Sequence, residues 1–197
     1  MSDGMVMEAA ALFDDHEKWI SFFELCDLRQ RIYEYWVRKA TQTIRDHFYK
    51  TRSDKWVCEP YGDTNRDTRW YLREFGMNSL GITIGWFYEI VLHLPDGDGY
   101  DTNAITEKLS RPEFMPISMA FDRIDYQQKD GKKLVECRNY IFDGQDDGGI
   151  MQYHDLAWYA GNQTGAFVTQ VIGKVERLIC DPKVTDLIIE LNATTKK

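Results

Sequence analysis

One run near the start of the chain constrains the fold more than any other. Trp19, Phe22, Phe23, Cys26, Tyr33, Trp36, Val37, Ala40, Ile44 and Phe48 recur at three- and four-residue spacing, which puts their side chains on one face of an α-helix. A second stripe, Leu25, Leu28, Ile32 and Tyr35, runs beside it. Asp14, with Glu17 three residues on, supplies a capping box at the start. The run is longer than most globular helices, so a break would fall near Asp27 or after Thr41. Two apolar stripes demand cover on more than one side, either from a sheet and a second helix or from another chain.

After this helix the period changes. Residues 55–61, 68–75 and 81–94 are rich in Trp, Tyr, Ile, Val and Thr and are separated by Gly-Asp, Gly-Met-Asn and Pro-Asp-Gly, the pattern of an antiparallel meander. In 81–94 both alternating faces are largely apolar, which predicts one central strand. Residues 103–109 read as a short helix. Strands over 117–127 and 132–142 follow, joined by Lys129-Asp130-Gly131, and Asp-Gly between alternating runs signals a hairpin. Residues 153–160 read as a helix. Phe167, Val168, Val171, Ile172, Val175, Leu178 and Ile179 make the stripe of another. Asp181 as cap with Pro182 in the first turn starts the last one.

Strands gathered together, rather than alternating with helices, indicate an α+β fold: an antiparallel sheet of about five strands with the long N-terminal helix and the C-terminal helices packed on it. Residues 1–13 read as a flexible N-terminal segment and 14–197 as a single α+β domain. A chain of 197 residues, 43% of them hydrophobic, buries enough surface to need neither disulfide nor metal for its core. No apolar run reaches the roughly 20 residues of a membrane helix, and the first residues have no basic segment followed by an apolar one, the mark of a secretory signal. Cys26, Cys58, Cys137 and Cys180 form no CxxC and sit among apolar neighbours, so they read as reduced, mostly buried thiols of a cytoplasmic protein.

Charge separates along the chain. The net charge of −8 argues against a broad nucleic-acid-binding face, yet residues 29–55 hold eight basic side chains against three acidic ones. Arg31, Arg38, Arg45 and Arg52 fall at seven-residue intervals and, with Lys39, would line a ridge on the first helix opposite its apolar stripe. Arg69 and Arg73 extend it. Such a ridge is either a solvated face paired with internal carboxylates or a docking surface for an acidic partner or a nucleic-acid backbone.

Motifs for chemistry are sparse. Asp96, Asp98 and Glu107 occupy the first, third and twelfth positions of a calcium loop, but the loop has Tyr100 where an oxygen ligand is usual and Asp101 in place of the sixth-position glycine. The loop from Asp143 to Asp147 is less regular and reads as a connection. His16, His47, His93 and His154 show no zinc spacing. Pro95-Asp96 with Asp130-Gly131-Lys132 has the letters of a PD-(D/E)xK nuclease, although the second half falls in a turn. No Gly-x-Ser-x-Gly, dinucleotide or P-loop segment exists. Cysteine catalysis would need Cys26, Cys58 or Cys137 beside His93 or His154.

The sequence therefore reads as a non-catalytic interaction or regulatory module, with no cofactor or metal, whose partner is another protein or a second copy in a homodimer. One alternative is a nucleic-acid binder or Mg²⁺-dependent nuclease-like enzyme using the cationic helix with Glu59, Asp63, Asp67 or Asp96. Another is an acidic inhibitor that fills a nucleic-acid-binding cleft. The metal-free reading predicts that EDTA leaves the melting temperature within 1 °C (~0.3 kcal/mol at this size) of the untreated protein. A large drop would assign a structural cation to the acidic loops.

Overall fold

The computed structural model describes residues 3–51, 53–62, 67–85, 89–95, 99–121, 123–129, 132–141 and 153–196. A short helix α1 (Asp3–Ala11) occupies the segment expected to be flexible. Helix α2 (His16–Lys50) then runs for 35 residues without the break sought near Asp27 or Thr41. Its N-cap is Asp15, not Asp14: the Asp15 carboxylate accepts the Lys18 amide at 2.9 Å, while Asp14 takes the Lys18 ammonium.

Six strands follow in one antiparallel sheet of order β1-β2-β3-β4-β6-β5: β1 (Trp56–Tyr61), β2 (Asp67–Leu72), β3 (Gly81–Gly85), β4 (Glu89–His93), β5 (Arg123–Lys129) and β6 (Lys132–Tyr140). The single strand expected over 81–94 is in fact the β3/β4 pair, with Gly81 opposite His93 and Gly85 opposite Glu89. Folding the segment back sets Ile82 beside Leu92 and Ile84 beside Ile90 on one buried face, so one apolar surface replaces the two that a single strand would present. The strand expected from 117 also starts late. Helix α3 (Thr102–Leu109) is followed by a 3-10 turn at Pro112–Phe114 and helix α4 (Met115–Met119). Pro112 and Pro116 lie in the first turns of those two elements, where proline pre-sets the helical φ. The hairpin forms where Asp-Gly placed it, with Lys129 opposite Lys132. Asp130 and Gly131 themselves lie outside the described residues.

Helices α5 (Tyr153–Asn162), α6 (Thr164–Ile179) and α7 (Pro182–Thr195) complete the chain. One buried cluster joins Trp70, Leu72, Ile82, Ile90 and Leu92 of the sheet with Val37, Ala40 and Ile44 of α2, and with apolar faces of α5, α6 and α7. Phe48 of α2 meets Trp70 edge-on at 5.2 Å. Helix α5 approaches α2 so closely that a Cβ at Gly161 would run into the Trp36 ring, which fixes glycine there. Asp181 caps α7 as expected, accepting from the amides of Lys183 and Val184.

Asn192, fully buried on α7, closes the far side. Its Oδ1 accepts the Leu80 amide at 2.9 Å and its Nδ2 donates to the Leu80 carbonyl at 3.0 Å. A side-chain amide thus replaces the strand partner that Leu80 lacks, just before β3 begins. Two substitutions test this packing. Val171→Asp buries an unpaired charge at a position with 0% exposure, and Asn192→Leu strands both polar groups of Leu80. Each should destabilise by about 3 kcal/mol or more, read as a melting temperature lower by roughly 6–12 °C. An unchanged transition for either would displace its helix from the core.

Candidate functional site

The cationic ridge does not survive folding. Arg31, Arg38 and Lys39 are exposed on α2, and Arg38 lies 3.7 Å from Glu34. Arg45 is only 8% exposed. Its Nε donates to the Thr68 hydroxyl at 3.0 Å and its Nη2 to the Asp67 carbonyl at 2.5 Å. The reason is axial position: Arg31 lies on the bare part of the helix, whereas Arg45 lies level with β2, whose Thr68 and Asp67 receive it. Arg52 lies outside the described residues.

Arg69 is fully buried, on the sheet face opposite the helices. Its guanidinium donates to the carbonyls of Met77, Ser79 and His93 and to the Thr83 hydroxyl, and it lies 5.3 Å from the centre of the Tyr61 ring. Burial pushes it down to about 10, which still leaves it charged at neutral pH. It is a strut between strands β2, β3 and β4 and the turn that precedes β3, not a surface cation. Arg73 is exposed, with Nε 3.4 Å from the Asp54 carbonyl. Of the seven cations expected to bind a partner, Arg31, Arg38, Lys39 and Arg73 are thus solvent-facing, and the first three lie along α2 apart from the fourth.

The chemical constellations fare no better. Among the described residues no group of three or more His, Cys, Asp or Glu is placed to hold a metal ion. Asp101 is the N-cap of α3, Glu107 pairs with Arg111 at 2.6 Å, and Glu59 accepts the Tyr71 hydroxyl at 2.9 Å. Asp63, Asp96, Asp98 and the loop from Asp143 to Asp147 lie outside the described residues. All four cysteines are free, and Cys26 and Cys180 are exposed rather than buried. Burial pushes the Cys58 and Cys137 thiols up to about 12, so neither supplies a thiolate nucleophile near neutral pH.

A cleft of about 310 Å³ opens beside the end of α2, lined by Phe48, Trp56, Trp70, Arg73, Glu176 and Cys180 among others. Its size is at the low end of ligand sites, about 300 Å³. The Trp70 indole N–H has no acceptor, but Trp70 is 1% exposed, so that donor is sealed beneath the floor and not offered to the cleft. Glu176 on the rim is engaged by His47 Nε2 at 2.7 Å.

The feature that remains is α2 itself. From residue 14 to residue 31 every side chain is exposed, and the first buried residue is Val37. The helix therefore leaves the body as an arm of roughly 30 Å, at 1.5 Å per residue over its bare length. Its side chains do not suit water. Trp19 is 46% exposed, Phe23 45%, Leu25 60% and Tyr35 67%. By helical period Trp19, Phe22, Phe23 and Cys26 continue the face that, one body-length further on, buries Val37, Ala40, Ile44 and Phe48. Phe13 stacks back on the arm, 4.6 Å from Phe22 and 5.9 Å from Trp19, and Trp19 meets Phe23 at 4.7 Å. Rings covering one another in this way hide part of their area while leaving an aromatic knob. Helix α1 adds exposed Met5, Val6 and Met7, and Leu12 just after it is exposed as well.

Both stripes were legible in the sequence, together with their need for cover. What periodicity lacks is any mark of where the body stops, since one continuous stripe serves the core and the arm alike. The change of charge is the signal that was available: residues 3–28 carry seven acidic side chains and one lysine, whereas 29–39 carry four basic and one acidic.

The placement of the arginines is testable by contrast. Arg69→Met removes the charged donor from the carbonyls of Met77, Ser79 and His93 and should lower the melting temperature by roughly 6–15 °C (~3–5 kcal/mol). Arg69→Lys should recover little of this, because one ammonium cannot span the fork. Arg38→Ala and Lys39→Ala should stay within about 2 °C, as expected of exposed sites. Equal effects at all three positions would contradict the strut. No protein-family model, no curated protein and no solved structure matches this chain.

Proposed function

We propose that the chain is a non-catalytic protein-interaction module of the cytoplasm, and that the projecting half of α2 is its docking surface. The observation that carries the reading is the uninterrupted exposure of residues 14–31 on a helix that there sets Trp19, Ile20, Phe22, Phe23, Leu25 and Leu28 in water. A helix apolar on more than one side is stable in solution only where something packs on it, and contiguous apolar surface rimmed by charge is the mark of an interaction site. Recognition would be by side chains spaced three and four residues apart, seated on another helix or in a groove. The aromatics Trp19, Phe22 and Phe23 are of the residue class that supplies most binding energy at interfaces.

Other features agree. Four free cysteines, two of them exposed, suit a reducing compartment. Among the described residues no helix is long and apolar enough to cross a membrane. The nucleic-acid reading loses support where Arg45 and Arg69 are buried, because backbone binding depends on the density of exposed cations.

A photo-crosslinking residue at Phe23, compared with one at Met119, a more accessible position on α4 that is 76% exposed, tests the proposal in the cell of origin. Position 23 should give one or a few discrete protein adducts, and position 119 none of the same mass. If position 23 yields no adduct above the level of position 119, the arm is not a docking surface.

A further inference from the structure

We infer that the partner of the arm is a second copy of this chain, and that the two arms lie side by side in antiparallel orientation. This rests on the reading of the arm as a docking surface and adds to it the identity and direction of the occupant.

Direction follows from charge. The outer part of the arm is acidic at Asp14, Asp15, Glu17, Glu24 and Asp27, with Lys18 as its one cation, and the inner part is basic at Arg29, Arg31, Arg38 and Lys39, with Glu34 as its one acid. Parallel arms would set each cluster beside its own copy, and like charges at helix-pair spacing repel. Antiparallel arms set the acidic tip of each against the basic root of the other. A closed twofold pair uses the same patch on both protomers, so one segregated sequence satisfies both ends.

The seat of the partner is bounded by where cover begins. Tyr33 and Trp36 are half-buried and pack against the core, so the span open on all sides is residues 14–31, while Arg38 and Lys39 stay exposed at its root. A partner arm laid antiparallel along this span brings its acidic tip toward Arg29, Arg31, Arg38 and Lys39.

The experiment uses the 197-residue chain. Light scattering at micromolar concentration should give twice the chain mass, falling toward the chain mass on dilution. Reversing the tip with Glu17→Lys and Glu24→Lys together should weaken the dimer at least tenfold, reversing the root with Arg31→Glu and Arg38→Glu together should do the same, and the chain carrying all four changes should regain it, each with unchanged far-ultraviolet circular dichroism. A chain mass at all concentrations up to 100 µM overturns the inference, and so does an undiminished dimer in both singly reversed chains, which signifies parallel arms. The photo-adduct at position 23 separates the two readings. An adduct with a different protein, alongside a monomeric mass, defeats the second copy and leaves the docking arm standing. No adduct at all defeats both.

Discussion

The contact on which the rest of this structure depends is the seat of α2 on the body. Over its last four turns the helix packs against α5 and α6 and over β1 and β2, with Phe48 on Trp70 and Val37, Ala40 and Ile44 in one buried cluster with Ile82, Ile90 and Leu92. Everything else is arranged around that seat. The β3/β4 reversal adds its apolar rows to the same cluster, and Arg45 fastens the edge of the helix to β2 through Thr68 and the Asp67 carbonyl. A rigid helix fixed over half its length holds its other half in a defined direction, because an α-helix transmits orientation along its axis without a hinge. The same seat that makes the core therefore aims the arm.

Polar groups in the interior are used to tie elements together. Arg69 gathers the carbonyls of Met77, Ser79 and His93 and the Thr83 hydroxyl, which ties the turn before β3 to the ladder of β2, β3 and β4, and its five donors in a planar fork suit that task better than any other side chain. Asn192 does the same on a smaller scale for Leu80. Glu89 and Arg138 form a half-buried ion pair between the neighbouring strands β4 and β6. Charged residues that composition counts toward a surface are thus partly withdrawn from it. The electrostatic character of the exterior is set by what remains, chiefly the acidic tip and basic root of α2.

The α+β class, the long first helix, the hairpin at 129–132, the Asp181-Pro182 start of α7 and the apolar stripe of α6 were all legible from residue order. Each is fixed by interactions within a few residues: caps, proline dihedrals, turn chemistry and the period of apolar side chains. The errors share a cause. In 81–94 the alternation of apolar residues fits one long strand or two short ones equally well, since a reversal of the chain preserves the parity of the pattern. At 117–119 local proline chemistry prevailed over apolar alternation. Arg69 read as a surface cation because nothing local reveals that Met77, Ser79 and His93 will converge on it.

The sequence by itself determined that α2 must be covered on more than one side, because two apolar stripes at helical spacing cannot both face water. Only the tertiary structure decided where that cover stops. The body reaches as far as Trp36 and Val37, where Gly161 lets α5 come close, and the stripes continue beyond it unchanged. The boundary between core and arm depends on how many elements the remaining chain can lay against the helix. That is a property of the assembled volume, and no window of residues encodes it.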